Sequence, residues 1–541
     1  MAERYLVIAE VSQKQSYIFN RNELKINVRN SSAIAMITES EYFKRAAGDL
    51  YTEQENLVYA GGGHSVLEFS APSEGEAKEK ARCFCRLLTL QVYRDFPDIA
   101  YFTTIMKYDQ GKSPSRNLRA LISLLEDKKN RRLASFHHGS FGIEMVDSND
   151  LQPVRLLQKE TEEALADMVD RKKRQDDGKV HQAGFRQPER FAELGGTRDL
   201  SNFIAVVHID GNGMGNRVTS FYEELEGRGL GWEEFRTEIR KFSEQIDRDF
   251  KSAFREMTGE IVKNLQAHRL DALSLQEGIL PVRRIITSGD DICYVAEGRI
   301  GLESAAIFLH RLAKKTGYDG KPYAACAGIC LIHQKYPFYR AYALAEELCS
   351  SAKSYGAKLS KTDNGSSVSA IDWHIEFGEM QDSLEEIRRQ YETADGNRLE
   401  MRPYVVCTGS DGLAVLPGRM YGHFRSQMAS ITSKTDLYPA GKLKELRAAL
   451  KKGEDAARYY LIHNHLYDVA LERYQDVVAD LLAEGKVLDL SGSGLDRTLF
   501  IADTFAADPE EKKQKHSTLF DVVEMMDTFL LLEEEENEVE E

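Results

Sequence analysis

Three aspartates that lie next to glycines are the residues of this sequence best suited to chemistry. Asp210 follows the apolar run 203–209, and Asp290 and Asp291 close the short turn 288–291. Carboxylates that lie close together repel one another, and the usual compensation is a hard divalent cation such as Mg²⁺ or Mn²⁺. Two such ions could polarise an α-phosphate, lower the pKa of an attacking hydroxyl and stabilise a leaving pyrophosphate. The residue types therefore favour metal-dependent nucleotidyl transfer, provided that the fold brings the three together.

The glycines beside these aspartates also have a chemical use. A phosphate can approach the backbone closely where no side chain intervenes, and the amide groups at the start of a helix attract anions. Either turn alone could be an ordinary loop, so only their joint position argues for a site. Lys353, on a predicted helix, could reach a triphosphate as a mobile charge, although a solvated helix face explains one lysine equally well. The residues expected to contact the nucleotide are Gly211, Asn212, Gly213, Gly215, Ser288, Gly289 and Lys353.

The elements that would position the aspartates follow a β-α-β-β-α-β order. Apolar and β-branched runs predict the strands, and stretches of helical periodicity predict the helices. In the ferredoxin-like fold, which has this order, the first and third strands are antiparallel neighbours, so Asp210 would lie beside Asp290 and Asp291. The predicted segments are a strand at 203–209, a helix at about 218–265, a hairpin at 283–296, a helix at 302–316, a strand at 324–332, a helix at 338–355 and a strand at 368–373.

The N-terminal segment repeats this order. Strands are predicted at 6–10 and 99–106, a hairpin at 57–69 turns on three glycines, and helices fill the intervals. The turn of this hairpin keeps its glycines but has His64 where the later copy has an aspartate. Two copies of one fold are therefore expected, and only the second retains the carboxylates of the turn.

Composition limits the class of protein and its surroundings. A formal net charge of −16 over 541 residues argues against a surface that binds nucleic acid throughout, although a local basic groove is allowed. No apolar run is long enough to cross a bilayer and the N-terminus lacks a secretory signal, which predicts a cytoplasmic protein. The seven cysteines have no paired spacing typical of metal ligands, so we expect reduced thiols and no structural zinc.

Two further segments have competing interpretations. The basic cluster 171–174 could be a nuclear or nucleic-acid signal, but a solvated helix face or linker is favoured. His463 and His465 could bind a metal or catalyse, yet their spacing directs them to different faces of a helix, so packing or exposure is favoured. A C-terminal helical region is indicated by predicted helices at 442–450, 454–484 and 516–532.

With these motifs the sequence resembles the large polymerase/cyclase subunit of type III CRISPR effector complexes, whose palm domain is related to diguanylate and adenylate cyclases. The turn after Asp210 is similar to that family's D-G-D-x-M-G motif, and the turn before Asp291 is similar to its G-G-D-D hairpin. In the family's order, the similar segments are 15–19, 59–63, 208–215, 288–291, 327–337 and 345–353. The segments 15–19 and 59–63 are similar to the family's inactive first palm.

The resemblance implies an α+β fold with two ferredoxin-like palm domains and a C-terminal helical domain. It also implies that Lys353 contacts a triphosphate and that two Mg²⁺ or Mn²⁺ ions act on a nucleoside triphosphate, of which ATP is the favoured one. The product would be a cyclic or linear oligonucleotide messenger of antiviral defence, released with pyrophosphate. The implied metal-site residues are Ile209, Asp210, Asp290 and Asp291. The expected domains are a degenerate first palm at 1–150, a charged helical linker at 151–200, a catalytic second palm at 201–400, a helical domain at 401–532 and an acidic tail at 533–541.

Partners and departures from the family pattern follow from the same resemblance. Subunits of an RNA-guided effector would contact the C-terminal helical domain, and self-association into a homo-oligomer is also allowed. Asn212 stands where the family often has a second aspartate, which weakens the case for a fourth acidic ligand. Ser288 replaces the first glycine of the hairpin, which could alter a contact to base or phosphate. The family's nuclease domain is not expected, because the chain begins at the first palm.

Three classes of function remain to be distinguished. The first is a nucleotidyltransferase or oligonucleotide cyclase, which the retained pair Asp290 and Asp291 favours. The second is a nucleotide-binding scaffold or sensor subunit without turnover. The third, a template-directed polymerase, is disfavoured because the sequence shows no obvious basic thumb or fingers segment and its net charge is negative.

Overall fold

The computed structural model describes most of the chain. Its described residues are 3–131, 159–179, 182, 184–194, 202–273, 275, 278–359, 367–378, 383–409, 415–433, 439–464, 466, 499–503 and 513–534. Within this part of the chain no helix is long and apolar enough to cross a membrane.

An N-terminal sheet of four strands occupies the first 131 residues. Its strand order is β2-β3-β1-β4, and β1 is antiparallel to both of its neighbours. Alternate residues of β1 belong to two separate apolar cores, with Leu6 and Ile8 in one and Val7 and Ala9 in the other, which is why the strand reads as a continuous apolar run. The elements are β1 (Glu3–Ser12), α1 (Lys14–Ile18), α2 (Leu24–Ile37), α3 (Ser40–Ala47), α4 (Glu53–Asn56), β2 (Leu57–Gly61), β3 (His64–Ala71), α5 (Glu74–Asp95), β4 (Ala100–Lys107) and α6 (Pro114–Asn130).

A central sheet of six strands follows, in the order β10-β9-β8-β5-β7-β6. Its part β6-β7-β5-β8 repeats the order β2-β3-β1-β4 of the N-terminal sheet, and the predicted α+β class is confirmed. The elements are α7 (Lys159–Lys179), β5 (Phe203–Gly211), α8 (Met214–Gly227), α9 (Trp232–Gln266), β6 (Val282–Ser288), β7 (Asp291–Glu297), α10 (Gly301–Ala313), β8 (Ala325–His333), α11 (Phe338–Leu359), β9 (Val368–Glu376), α12 (Leu384–Arg389) and β10 (Tyr404–Thr408).

One predicted helix of this region is in fact two. The segment 218–265 contains the end of α8 and nearly all of α9, and the chain turns between them at Gly229. Gly229 has a φ of +65°, in the left-handed region that ends a helix and that glycine adopts without strain. Helical periodicity alone does not show this break.

A single glycine fixes the distance between α11 and the central sheet. A Cβ atom on Gly328 of β8 would overlap the carbonyl oxygen of Ala345 and the amide nitrogen of Cys349, both on α11. Only glycine lets the helix backbone lie this close to the strand. The height of α11 above the sheet, and with it the position of Lys353, therefore depends on this contact.

The C-terminal region contains strands as well as helices, so the prediction of a helical domain at 401–532 is wrong in part. Strand β10 pairs with β9 and completes the central sheet, and β11 pairs with β12. The predicted helix 516–532 is only a short helix preceded by a strand, and most of the predicted helix 454–484 lies outside the described residues. The elements are α13 (Tyr421–Ser433), α14 (Ala440–Lys451), α15 (Glu454–His463), β11 (Phe500–Ala502), β12 (Lys515–Ser517) and α16 (Phe520–Met525).

Buried charges join this C-terminal region to the central sheet. The fully buried guanidinium of Arg402 lies 3.3 Å from Asp521 Oδ1, makes a close ion pair with Glu524, and donates to the carbonyl oxygen of Trp373 at 3.0 Å. Tyr404 donates a hydrogen bond of 3.0 Å to Asp521 as well. Asp521 and Glu524 belong to α16, so two carboxylates of the last helix are neutralised by one arginine beside the sheet.

Removal of this arginine should destabilise the whole protein. We expect Arg402→Met to lower the free energy of unfolding by about 3–5 kcal/mol, because it leaves Asp521 and Glu524 buried without their cation. Urea denaturation followed by circular dichroism measures the change. Arg389→Met is the matched control, since Arg389 is exposed and forms an ion pair with exposed Glu385. Equal losses for both variants would contradict the structural role given to Arg402.

The charged segments are tied to the fold where they are described. Helix α7 packs on α2, and Lys172 of the basic cluster is buried between Glu39 and Asp176 at 2.7 Å from each. This supports a packed helix over a free nucleic-acid signal. Glu533 and Glu534, at the start of the acidic tail, pair with Arg269 at 2.6 Å and with His310 at 3.2 Å, and the tail beyond them lies outside the described residues.

Candidate functional site

The three aspartates meet at one edge of the central sheet. Asp210, near the end of β5, is the direct register partner of Asp291, the first residue of β7. Asp290 precedes Asp291 in the turn between β6 and β7, where Gly289 has a φ of +64°. The antiparallel pairing of β5 with β7 is therefore what brings together residues about 80 positions apart in the sequence.

The glycine-rich turn after β5 is packed against this cluster. A Cβ atom on Gly211 would lie 2.9 Å from the Asp290 Cβ, so the turn can approach Asp290 only with glycine at that position. Gly213 has a φ of +61° and starts α8, whereas a Cβ atom on Gly215 would meet nothing within 4 Å. Gly215 thus faces open space, and it could let a ligand approach the start of the helix.

Asn212 and Ser288 have structural positions beside the cluster. The Asn212 side chain donates a hydrogen bond of 2.6 Å to the Val368 carbonyl, and its main-chain amide donates to Ala324 at 2.9 Å. The amide side chain therefore ties the turn to β9. Ser288 is the register partner of Asp291 across the hairpin.

Lys353 reaches the cluster from α11. Its ammonium nitrogen lies 2.6 Å from Asp210 Oδ2 and donates a second hydrogen bond of 2.9 Å to the carbonyl oxygen of Gly211. Burial alone would lower the pKa of Lys353, but the charge of Asp210 outweighs it and raises the pKa. The lysine is thus fully charged at neutral pH and lies directly beside the carboxylate cluster.

The two carboxylates of the hairpin are poorly neutralised. Burial, with Asp210 as the next cause, raises the pKa of Asp290 to about 6, and burial with Asp210 and Asp290 raises that of Asp291 to about 7. His208 Nδ1 lies 3.7 Å from Asp291 Oδ1, but burial lowers the pKa of His208 to about 4, so the ring is neutral at pH 7. The charge of Lys14 opposes the rise in the pKa of Asp291 without cancelling it, so the Asp291 side of the cluster is only weakly neutralised.

The donor set suits a hard divalent cation. Asp291 Oδ1 is buried without a hydrogen-bond partner, and carboxylate oxygens are the ligands that Mg²⁺ and Mn²⁺ prefer. In the described part of the chain no group of three or more His, Cys, Asp or Glu side chains is already arranged to hold an ion, and Asp210 is engaged by Lys353 instead. Ile209 could offer only its main-chain carbonyl, since its buried side chain is a hydrocarbon without a ligand atom. A metal site that uses Asp210 would share this carboxylate with Lys353, which engages Oδ2, or would displace the lysine.

The N-terminal sheet contains an ion pair in the matching position. Glu10, near the end of β1, is the register partner of His64, and Lys129 Nζ on α6 lies 2.6 Å from Glu10 Oε1. These residues correspond in the fold to Asp210, Asp291 and Lys353 of the central sheet. Sequence analysis missed Glu10 and Lys129, although the position of Glu10 at the end of the first predicted strand was the available signal.

Helix α1 of the N-terminal sheet packs on α11 at the same edge. The Phe19 ring centroid lies 4.2 Å from that of Tyr342, and Gln15 Nε2 donates a hydrogen bond of 3.3 Å to Glu346 Oε1. Lys14, at the start of α1, lies close enough for the charges of Asp291 and Asp290 to raise its pKa, although burial is the larger effect and lowers it. The N-terminal sheet therefore forms one wall of the cluster, which the analysis of the sequence did not foresee.

Of the two C-terminal histidines, for which the sequence favours packing or exposure over a metal or catalytic role, the structure describes His463, and it does not join this site. His463 is exposed at the end of α15, where its ring stacks on Tyr459 with centroids 5.8 Å apart. His465 lies outside the described residues. The cysteines of the described chain are free thiols, four of them buried.

The raised carboxyl pKa values predict a pH dependence of stability. Between about pH 4 and 7 the folded protein binds protons at Asp290 and Asp291 that the unfolded chain has released, so without metal their contribution to stability is lost as pH rises through 6–7. At pH 8 with chelator, the free energy of unfolding of Asp291→Asn should therefore exceed that of wild type by about 1 kcal/mol, and its melting temperature should be higher. Near pH 4 the two proteins should be equally stable. The effect is modest because the Asp291 side chain is 37% exposed. A difference that is the same at both pH values would contradict the assignment.

No protein-family model and no curated protein sequence matches the chain. Solved structures do. A Csm1-Csm4 cassette in complex with pppApApA aligns over 97% of this chain and 69% of the other, with a TM-score of 0.52 and 15% identity. The chain has the Csm1 fold. Csm1 in T. onnurineus aligns over 90% of this chain and 67% of its own length, with a TM-score of 0.51 and 14% identity. The resemblance to the large subunit of type III CRISPR complexes is thereby confirmed for the fold.

The Csm1 likeness extends across both sheets and the C-terminal region, since it covers nearly the whole chain. Another Csm1-Csm4 cassette of this fold, in complex with cA4, aligns over 88% of this chain with a TM-score of 0.51 and 15% identity. At such identity the likeness to Csm1 concerns the fold, and the chemistry has to be argued from the residues of this chain.

Proposed function

We propose that this chain is a metal-dependent nucleotidyltransferase that joins nucleoside triphosphates into cyclic or linear oligonucleotides with release of pyrophosphate. ATP is the favoured substrate. In this proposal the N-terminal and central sheets are two ferredoxin-like palm domains, and the second is catalytic. The observation that carries it is the direct register of Asp210 with Asp291, beside Asp290, in a cluster whose hairpin carboxylates have raised pKa values because they are only weakly neutralised.

In this proposal the side chains of the cluster have separate roles in binding metal ions and the triphosphate. Asp210, Asp290 and Asp291 would hold two Mg²⁺ or Mn²⁺ ions, with the Ile209 carbonyl as a further oxygen ligand. When bound, such ions polarise the α-phosphate and lower the pKa of the attacking hydroxyl. Lys353 already pairs with Asp210. When Asp210 binds a metal ion, the ammonium of Lys353 can pair with a triphosphate instead.

The first palm would hold the acceptor rather than catalyse. It keeps the ion pair of Glu10 with Lys129, but its hairpin has Gly63 and His64 where the second palm has aspartates. Without those carboxylates the first palm has too few oxygen ligands for two ions. This difference between the two palms is consistent with a single reacting centre that lies between them.

The structures that share this fold support a nucleotide as the substrate and a second subunit as the partner. Csm1-Csm4 cassettes are described in complex with pppApApA and with cA4. We infer that this chain takes part in an RNA-guided antiviral complex and that its C-terminal region contacts a neighbouring subunit. The buried ion pairs of Arg402 would couple such a contact to the central sheet.

A nucleotide-binding scaffold without turnover is the second candidate. It is favoured by one observation, the engagement of Asp210 by Lys353, which leaves the described chain without a ready three-ligand metal site. Both candidates bind nucleotide. They differ in whether product forms.

The purified full chain, incubated with each nucleoside triphosphate and with Mg²⁺ or Mn²⁺, in the presence and absence of RNA, distinguishes the candidates. We expect pyrophosphate and oligonucleotide products, identified by mass spectrometry, and we expect a chelator to abolish them. Nucleotide binding without any product under all conditions would establish the scaffold. Extension of a primer along a template would overturn both in favour of a polymerase.

A further inference from the structure

Lys14 is a cation of the N-terminal sheet that lies at the edge of the aspartate cluster. It begins α1, and its side chain lies over the glycine turn of the first hairpin: a Cβ atom on Gly63 would meet the Lys14 Cε at 2.5 Å. The ammonium donates a short hydrogen bond to the carbonyl oxygen of Gly62. Glycine at position 63 is thus what leaves room for the lysine.

The hydrogen-bonding capacity of this ammonium is mostly unused. An ammonium has three N–H donors, and the Gly62 carbonyl is the one acceptor that the described part of the chain offers it. The side chain is half-buried, and burial lowers the pKa of Lys14 while the charges of Glu10, Asp291 and Asp290 oppose this shift. A partly desolvated cation with two free donors is suited to an anionic ligand that has several oxygens.

The matching position in the central sheet is apolar. Met214 begins α8 as Lys14 begins α1. The Met214 side chain lies over Gly211, at the end of β5, and the Lys14 side chain lies over Gly63, in the turn of the first hairpin. Packing alone is therefore satisfied by methionine in one copy of the fold. Compared with the matching methionine, Lys14 adds a positive charge and one hydrogen bond, to Gly62, and that one hydrogen bond leaves two donors of the ammonium unused.

We propose that Lys14 is a polyphosphate-binding residue that the N-terminal sheet contributes to the site of the central sheet. Its ligand is the triphosphate of a nucleotide, or the 5′-triphosphate of a growing product, held between Lys14 on one wall and Lys353 on the other. The adjacent residue Gln15 contacts Glu346 on α11, which holds the start of α1 against the wall that carries Lys353. This inference rests on the proposed function for the identity of the nucleotide, but the binding of a polyphosphate does not require turnover.

The test compares Lys14→Met, which installs the residue of the matching position, with Lys14→Arg and with Lys44→Met as control. Lys44 is an exposed lysine of α3 that pairs with exposed Asp49 at 3.3 Å. Calorimetric titration of the full chain with inorganic tripolyphosphate and with Mg²⁺-ATP should show a Kd raised about 10- to 100-fold in Lys14→Met, because a charge-assisted hydrogen bond is lost. Lys14→Arg should remain within about threefold of wild type and Lys44→Met should be unchanged.

Kinetics separate binding from a merely structural role. In Lys14→Met the KM for ATP should rise by the same factor as the Kd, while kcat changes less than about threefold and the melting temperature is kept. Unchanged Kd and KM would overturn the inference, and so would a loss of binding that accompanies unfolding and that arginine does not restore. If wild type forms no product but Lys14→Met still weakens tripolyphosphate binding, the proposed function fails and the inference stands. If product forms with the same KM for ATP in both proteins, the inference alone fails.

Discussion

Replacement of Asp290 or Asp291 by asparagine is expected to reduce the rate of pyrophosphate release by at least about 10³-fold. Asparagine keeps the size of the side chain but removes the negative charge that would hold an ion, so the two-ion centre loses a ligand at the point where charge develops. The hairpin itself should stay folded, because the substitution also relieves repulsion among carboxylates that are already poorly neutralised. Steady-state assays with Mg²⁺ and with Mn²⁺ measure the rate.

Two controls accompany this experiment. Asp49→Asn changes an exposed aspartate far from the cluster and should leave the rate unaltered. Thermal melting with Mn²⁺ plus ATP should show a gain in stability for wild type that is smaller in both hairpin variants. Full turnover in Asp290→Asn and Asp291→Asn would refute the assignment of the reacting centre, whereas unfolding at pH 8 would refute the statement that the pair is a source of repulsion.

The second large effect should distinguish the two copies of the fold. Asp210→Asn is expected to lower kcat by at least about 10²-fold, while Glu10→Gln, at the matching position of the N-terminal sheet, should leave kcat within about fivefold of wild type. Both substitutions break an ion pair of 2.6 Å with a lysine on the helix after the fourth strand of its copy, α11 or α6, so their structural costs are similar. Only Asp210 has the carboxylates of a hairpin beside it. Initial rates over a range of ATP concentrations give kcat and KM separately.

His64 extends the comparison to the hairpins. His64→Ala changes the register partner of Glu10, just as an Asp291 variant changes that of Asp210. A raised KM is allowed, since the first palm is proposed to hold the acceptor, but catalysis should persist. An inactive His64→Ala or Glu10→Gln together with a fully active Asp210→Asn would show that the reacting centre lies in the N-terminal copy.

The sequence by itself determined the central part of the site. Apolar runs and glycine turns encode strands and hairpins locally, and the order of these elements admits few sheet topologies, so the meeting of Asp210 with Asp291 could be predicted. The same reasoning predicted the repeat of the fold. It failed where local pattern is weak: the five-residue strand β10 has an irregular register, and the break at Gly229 interrupts an otherwise helical pattern.

Contacts between distant segments were decided only by the tertiary structure. Arg402 meets Asp521 across 119 positions, and Lys129 meets Glu10 across a similar span. Periodicity tells which face of an element is buried, but a charged residue can pair with any opposite charge that the packing brings near. For the same reason Lys14 gave no signal in the sequence: its proximity to the aspartates exists only because helix α1 of one sheet packs against α11 of the other.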